Sequence, residues 1–173
     1  VALFFGAVVG GINLPAEAQW LWWMICLAAL PAFVFGLIED LTKQVSVKMR
    51  LIATICSGLI FSILTDYQIR ETDLPGVDWV LSFWLVSFLF TAFAMGGSAN
   101  AINIIDGVNG LASGTSIIIM GGFALVAWQM GDFQILGICL VSMGSLTGVF
   151  LLNFPSGRIF LGDAGAYVIG FIL

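Results

Sequence analysis

The stretch Asn100-Ala-Ile-Asn-Ile-Ile-Asp-Gly-Val-Asn-Gly-Leu111 lies between two strongly apolar segments, residues 79–97 and 111–130. Its polar side chains recur at every third position, so on a helix the first three fall within a sector of roughly 120°. Placing them in or beside a membrane costs free energy unless they meet partners, water or a cation. This polar stripe suits a metal ion and a polar ligand, although a polar helix end with a glycine cap would give the same pattern. Its members are Asn100, Asn103, Asp106 and Asn109.

The composition of the chain is that of an integral membrane protein. Hydrophobic residues make up 61% of its 173 residues and charged residues only 9%, and the mean hydropathy is +1.13. Soluble domains carry about 25% charged residues. The net charge is −5 and there is no basic patch, so we expect no nucleic-acid partner. The absence of His removes the commonest zinc ligand.

Apolar segments that approach the roughly 20 residues of a membrane span alternate with short polar loops. Pro31 lies within the first full segment and is expected to kink it. The sequence predicts an all-α, polytopic transmembrane helical bundle. We expect residues 1–173 to form a single integral-membrane domain. We expect this chain to be a central fragment of a longer one and to contain about five full spans and two truncated spans. The full segments are 19–37, 51–65, 79–97, 111–130 and 134–153, and the truncated ones are 1–10 and 164–173.

The distribution of Lys and Arg predicts the orientation of the bundle. Four of the five cations lie in loops 38–50 and 154–163, whereas loop 66–78 on the opposite side holds only Arg70. Because cytoplasmic loops carry the excess of Lys and Arg, we expect loops 38–50, 98–110 and 154–163 to face the cytoplasm. We call these the inner loops, and they form the expected active-site face.

The first inner loop combines an acidic pair with three cations. Glu39 and Asp40 directly follow an apolar helix, and Lys43, Lys48 and Arg50 come within the next ten residues. Adjacent carboxylates favour a hard divalent cation or raise each other's pKa. The cations suit phosphate oxygens, and Arg binds them bidentately. The alternative is a positive-inside anchor with incidental ion pairs.

The third inner loop places Asp163 where the next helix begins, after a segment kept irregular by Pro155 and Gly157. Asp163 is either an ordinary N-cap or a metal ligand. Arg158 either binds a substrate or extends its side chain to the lipid headgroups. Phe160 either packs against other residues or stacks on a flat ring of a ligand.

Aspartates at three span boundaries thus fall on one side of the membrane, beside amides and cations. Mg²⁺ takes one or two protein carboxylates and fills its other positions with water and substrate phosphates. Such a site suits phosphoryl transfer involving a lipid whose tail stays in the bilayer. The sequence lacks a Walker loop, which argues against a P-loop ATPase.

Three motifs in this order resemble the polyprenyl-phosphate N-acetylhexosamine-1-phosphate transferases. They are Ile38-Glu-Asp40, Asn100-x-x-Asn-x-x-Asp-Gly-x-Asn-Gly110 and Phe160-Leu-Gly-Asp-Ala-Gly165. That superfamily also contains the phospho-N-acetylmuramoyl-pentapeptide transferase of peptidoglycan synthesis. The resemblance covers the chain from about residue 20 to its end.

The resemblance implies a bacterial inner-membrane enzyme that passes the membrane several times, with its active site facing the cytoplasm. It implies transfer of N-acetylhexosamine 1-phosphate from a UDP-N-acetylhexosamine to undecaprenyl phosphate, with release of UMP. The implied cofactor is Mg²⁺, with Mn²⁺ as an alternative ion. Its partners are the two substrates and the lipid bilayer, and a homodimer is compatible with it.

The resemblance also implies roles for the acidic residues. Glu39 and Asp40 match the acidic pair that engages the lipid phosphate or the metal. Asp106 matches a catalytic and metal-binding aspartate. Asp163 matches the principal Mg²⁺ ligand.

Further positions match the substrate-binding part of the family's cleft. Gly107 and Asn109 fall where the uridine is held, and Phe160 falls where an aromatic ring lies against the uracil. The remaining substrate-binding candidates are Lys43, Lys48, Asn100, Asn103 and Arg158.

The chain departs from the family pattern at two of these positions and stops before a third feature. Glu39 stands where the family has Asp, Asn109 stands where many members have Asp, and the family's His-containing loop would follow Leu173. Two other hypotheses remain. A cation-coupled secondary transporter also places carboxylates near broken helices, and a catalytically weak relative would serve as an assembly subunit.

The identity of the sugar is a separate question. The short Asn103-Ile-Ile-Asp-Gly107 form resembles the branch that initiates O-antigen, lipopolysaccharide and teichoic-acid synthesis more than the muramoyl-pentapeptide branch. We therefore expect UDP-GlcNAc or a related sugar as donor, in a step of cell-wall biogenesis.

Overall fold

A computed structural model of the chain describes residue 6 and residues 9–173. The predicted truncated span at 1–10 therefore lies largely outside the described residues. The described part of the chain folds into helices and contains no strand, which confirms the predicted all-α bundle. The helices are α1 (Ala16–Ala28), α2 (Leu30–Thr42), α3 (Val47–Thr65), α4 (Val77–Leu81), α5 (Trp84–Ile105), α6 (Leu111–Met130), α7 (Phe133–Asn153) and α8 (Gly162–Ile172).

Four of these helices, α3, α5, α6 and α7, are long and apolar enough to cross a membrane. The bent pair α1 and α2 supplies a fifth span if it is counted as one. α8 is a shorter apolar helix of 11 residues. The chain is therefore a multi-pass membrane protein, as the composition predicted.

Several helix boundaries differ from those expected from hydropathy. The predicted segment 79–97 is not one helix, because α4 ends at Leu81 and α5 begins at Trp84. α3 begins at Val47 rather than 51, because Ser46 accepts a hydrogen bond from the Met49 N–H at 3.3 Å and so caps the helix. α5 continues to Ile105, eight residues beyond the predicted apolar segment that ended at 97. The intervening sequence contains no proline, so the helix carries Asn100 and Asn103 on its last two turns.

The bend between α1 and α2 measures 46°. Pro31 lies in the first turn of α2, where its missing N–H removes no helical hydrogen bond. The predicted kink is thus confirmed. The bend turns the C-terminal half of α2 so that it packs against the start of α8.

Close backbone contacts fix α8 between α2 and α5. A Cβ atom on Gly36 of α2 would lie 2.7 Å from the Ala164 nitrogen, and one on Gly170 of α8 would lie 2.6 Å from the Ala99 Cα. Small residues permit such approaches between membrane helices. The C-terminal half of α2 therefore meets the N-terminus of α8, whereas Ala99 of α5 contacts the C-terminal end of α8.

Candidate active site

Two aspartates from other helices cap the N-terminus of α8. The Asp40 carboxylate accepts hydrogen bonds from the backbone N–H groups of Asp163 at 2.9 Å and Ala164 at 3.0 Å. Asp106 Oδ2 accepts one from the Gly162 N–H at 3.0 Å. A helix N-terminus carries unpaired donors and a partial positive charge, so both carboxylates are stabilised there.

The position of Gly162 depends on its lack of a side chain. Its φ is +71°, and a Cβ atom there would lie 2.8 Å from Asp40 Oδ2. A larger residue would both strain the backbone and displace the Asp40 cap.

Asp163 has a different kind of partner. Its Oδ2 accepts a hydrogen bond from Arg50 Nη1 at 2.5 Å, and its Oδ1 accepts one from Asn103 Nδ2 at 2.9 Å. Both partners are side chains, which can move independently of the backbone. Among the residues that the structure describes, the Asp163 carboxylate accepts hydrogen bonds only from side chains. The Asp40 and Asp106 carboxylates accept hydrogen bonds from the backbone of α8.

Glu39 also lies near the Arg50 guanidinium. Its Oε1 is 3.9 Å from Arg50 Nη1, and its Oε2 accepts a hydrogen bond from the Val45 N–H at 2.8 Å. The second bond braces the loop after α2, where Lys43 adopts a left-handed conformation with φ of 56°. Glu39 therefore shapes this loop and shares a cation with Asp163.

The site holds an excess of negative charge. Burial raises the pKa of Asp106, and the charges of Asp163 and Asp40 raise it further, whereas the hydrogen bonds from Gly162 and Leu161 lower it. A bound divalent cation would neutralise part of this charge.

The second and third inner loops are joined by two asparagines. Asn109 Nδ2 donates to the Pro155 carbonyl at 2.9 Å. The buried Asn153 accepts from the Gly110 N–H and donates to the Ile159 carbonyl. Asn153 was missed from the sequence, although a buried amide at the end of an apolar segment is a signal that a polar contact is needed.

The other predicted residues lie around this cluster. Lys43 Nζ is 3.7 Å from Asp40 Oδ1 at the rim, with 69% of its side chain exposed. Asn100 donates to Thr54 Oγ1 at 2.9 Å and to the Gly96 carbonyl at 2.8 Å, so it joins α5 to α3. The residues that remain exposed are Lys48, Gly107, Arg158 and Phe160.

The donor atoms of the cluster fit a hard divalent cation. Asp40, Asp106 and Asp163 supply carboxylate oxygens, which Mg²⁺ prefers, and Mg²⁺ needs only one or two of them. Among residue 6 and residues 9–173, no group of three or more His, Cys, Asp or Glu side chains is arranged as a metal cluster. Since the bonds of Asp163 are to side chains, it is the carboxylate best able to turn towards an ion.

Comparison with known proteins gives a family and a set of named relatives. A family model described as glycosyl transferase family 4 matches residues 22–173. A protein of Bacillus subtilis named phospho-N-acetylmuramoyl-pentapeptide-transferase is 29% identical over 146 residues, covering 79% of this chain and 45% of the relative. One of the same name from Lactobacillus delbrueckii subsp. bulgaricus is 31% identical over 157 residues, covering 86% and 49%.

The chain spans about half the length of the curated relatives it matches. The family match includes every carboxylate and amide of the cluster at the start of α8. The chain belongs to glycosyl transferase family 4.

Proposed function

We propose that the full-length protein transfers N-acetylhexosamine 1-phosphate from a UDP-sugar to undecaprenyl phosphate. The observation that carries this proposal is the meeting of Asp40, Asp106 and Asp163 at one helix N-terminus, at the ends of apolar helices, in a family 4 chain. An oxygen of the lipid phosphate attacks the sugar-linked phosphorus, the bond from that phosphorus to the UMP oxygen breaks, and UMP leaves.

The carboxylates have two tasks in this proposal. Asp163 and Asp106, with Asp40 beside them, hold a divalent cation, Mg²⁺ or Mn²⁺, which when bound neutralises the diphosphate and the leaving UMP. Glu39 and Asp40 orient the lipid phosphate. Because the second pKa of a phosphate monoester is about 6, the nucleophile is largely ionised near neutral pH, so positioning contributes more than a general base.

The residues around the carboxylates bind the donor. Gly107 and Asn109 lie in the turn between α5 and α6 and suit the uridine, and the exposed ring of Phe160 suits the uracil face. Further contacts to phosphate or sugar come from Lys43, Lys48, Asn103 and Arg158. Asn100 contributes indirectly, by holding α5 against α3 through Thr54.

We propose that the site faces the cytoplasm of a bacterial inner membrane. Four of the five Lys and Arg residues lie in the inner loops, which supports this orientation. A cytoplasmic site would have access to nucleotide sugars. A homodimer is part of the proposal, and light scattering of the purified protein tests it.

Two donors have specific support. The short Asn103-to-Gly107 motif favours UDP-GlcNAc and a role in O-antigen or lipopolysaccharide initiation. The names of the relatives favour a UDP-linked muramoyl pentapeptide. Both belong to the same reaction class.

UMP release tests the proposal and separates the donors. Membranes containing the full-length protein are given undecaprenyl phosphate and either donor, with and without Mg²⁺. We expect UMP release that requires both the lipid and Mg²⁺, and the donor that supports it identifies the sugar. If well-folded protein releases no UMP from either donor or from other UDP-N-acetylhexosamines, the transferase proposal is wrong and a transporter becomes the better hypothesis.

A further inference from the structure

Arg50 is the central cation of the carboxylate cluster. Its Nη1 lies 2.5 Å from Asp163 Oδ2 and 3.9 Å from Glu39 Oε1, with 19% of its side chain exposed. It also interacts with the buried side chain of Tyr167. A group of three cations in the first inner loop was expected to bind phosphate, but Arg50 is instead turned inwards onto two carboxylates.

The position of Arg50 on its helix is unfavourable without these carboxylates. It lies in the first turn of α3, at the end where the helix already carries a partial positive charge. The attraction of Asp163 and Glu39 offsets that repulsion. Besides the bond from Arg50, the Asp163 carboxylate accepts a side-chain hydrogen bond from the neutral amide of Asn103.

The donors of Arg50 are incompletely used in this arrangement. A guanidinium has five N–H donors. Its Nη1 donates a hydrogen bond to Asp163 and lies 3.9 Å from Glu39, beyond hydrogen-bond distance. Its Nε is buried and has no hydrogen-bond partner among the residues that the structure describes. An unsatisfied buried donor costs free energy, so the guanidinium gains from any state that gives it further acceptors.

A divalent cation bound to Asp163 would compete with Arg50 for the same oxygen. Metal–oxygen distances for Mg²⁺ are about 2.1 Å, and at such separations from Oδ2 the ion and the guanidinium repel each other strongly. Asp40 and Asp106 are bonded to the backbone of α8, which cannot swing away in the same manner. The Arg50–Asp163 pair joins two side chains, so it can separate by side-chain rotation without any movement of the backbone.

We propose that Arg50 is an exchangeable counter-ion of Asp163. It holds this carboxylate in place when no divalent cation is bound, and it leaves Asp163 when the cation arrives. Arg50 is thus a positioning residue that lowers the affinity of the site for the cation. This proposal rests on the proposed function only in taking Asp163 as a cation ligand.

Manganese binding to the purified full-length protein tests the exchange without relying on turnover. Bound and free Mn²⁺ are measured by electron paramagnetic resonance for the wild type, Arg50→Gln and the matched control Arg70→Gln. Arg70 is an exposed arginine in the loop before α4, so its change alters the same charge away from the site. We expect Arg50→Gln to bind Mn²⁺ more tightly than the wild type by on the order of tenfold, because Mn²⁺ no longer competes with Arg50 for Asp163. Arg70→Gln should bind Mn²⁺ like the wild type.

Thermal unfolding supplies a second readout. Without divalent cations, Arg50→Gln should unfold at a lower temperature than the wild type, and added Mn²⁺ should raise its unfolding temperature by more than it raises that of the wild type. Arg50→Lys keeps the charge and loses the planar fork, so its Mn²⁺ affinity should lie between the two. Arg50→Lys replaces Arg50→Gln in the Mn²⁺ measurement if Arg50→Gln does not fold.

Two outcomes overturn the exchange. Unchanged or weaker Mn²⁺ binding in Arg50→Gln, or in Arg50→Lys if only that variant folds, would assign Arg50 a purely structural role. Equal Mn²⁺ binding in the wild type and Asp163→Asn would remove Asp163 as a ligand. By contrast, tighter binding in the variant without UMP release in the wild type would leave the exchange standing and contradict only the proposed function.

Discussion

Asp40, Asp106 and Asp163 are the same residue type at similar span boundaries, but they have different partners. Asp40 and Asp106 accept hydrogen bonds from backbone N–H groups of α8, whereas Asp163 is bonded to Arg50 and Asn103. The sequence predicted that all three would lie on one side of the membrane. It did not distinguish them, because the α8 residues bonded to Asp40, and Arg50 bonded to Asp163, are more than 100 positions away from them in the chain.

Replacement of Asp106 by Asn should change how stability depends on pH. Burial raises the pKa of folded Asp106 above that of the unfolded chain. The folded protein therefore holds this proton more tightly than the unfolded chain does. The resulting contribution to the free energy of unfolding is fully present below the ordinary aspartate pKa, and it is lost as pH rises through the raised pKa of folded Asp106. Asp106→Asn should flatten this decline, because a neutral amide still has an oxygen to accept the Gly162 N–H.

Thermal unfolding of the full-length protein without divalent cations, measured across the acidic range, checks this prediction. Asp73→Asn is the control, since Asp73 is exposed in the loop before α4. If Asp106→Asn and the wild type lose stability in parallel as pH rises, the charge of Asp106 does not oppose folding.

Replacement of Glu39 by Asp tests whether this departure from the family pattern weakens the site. The longer Glu39 side chain reaches the Val45 N–H at 2.8 Å, and the shorter Asp would lose this bond. We expect UMP release to fall about tenfold, the effect of losing roughly 1.4 kcal/mol of positioning. Glu71→Asp in the loop before α4 is the control. A rise in UMP release would instead favour the hypothesis of a catalytically weak relative.

At the level of helices, the sequence predicted periodic features well and boundaries less well. Pro31 correctly predicted the bend between α1 and α2, and the three-residue spacing of the polar stripe matches its place at the end of α5. The end of α5 was missed because the hydropathy of the sequence decreases several residues before the helix ends. The caps of α8 were also unpredictable, since their acceptors belong to α2 and to the residue after α5.

The contact between α2 and α8 should be sensitive to one methyl group. In Gly36→Ala, the added Cβ would lie 2.7 Å from the Ala164 nitrogen, so the two helices must separate and the Asp40 cap must lengthen. We expect a loss of about 1–3 kcal/mol in stability, typical of overpacking. Thermal unfolding of the full-length protein measures it.

Gly148→Ala in α7 is the matched control. A Cβ at Gly148 meets no described atom within 4 Å, and Ala has the higher helix propensity. Its unfolding temperature should match or exceed that of the wild type. Equal behaviour of the two alanine variants would mean that the close approach of α2 and α8 does not limit stability.

At the scale of the whole molecule, the helices bring the carboxylates together at their ends. Asp40 lies in the last turn of α2, Asp106 directly follows α5, and Asp163 lies in the first turn of α8. Secondary transporters bind their ions near the bilayer midplane, so this arrangement supports the transferase. The assignment of residues 1–173 to one integral-membrane domain stays a prediction, as does the dimer.

UMP release by the Asp163→Asn variant of the full-length protein tests the central claim most directly. Membranes carrying the wild type, Asp163→Asn or the control Asp73→Asn, in the loop before α4, are compared at equal amounts of folded protein, with undecaprenyl phosphate, the active UDP-sugar and Mg²⁺. We predict that Asp163→Asn loses at least about 100-fold in UMP release, as expected when charge stabilisation at the reacting phosphates is removed, while Asp73→Asn keeps wild-type activity. Undiminished, Mg²⁺-dependent UMP release from Asp163→Asn would contradict the placement of the catalytic site at the start of α8.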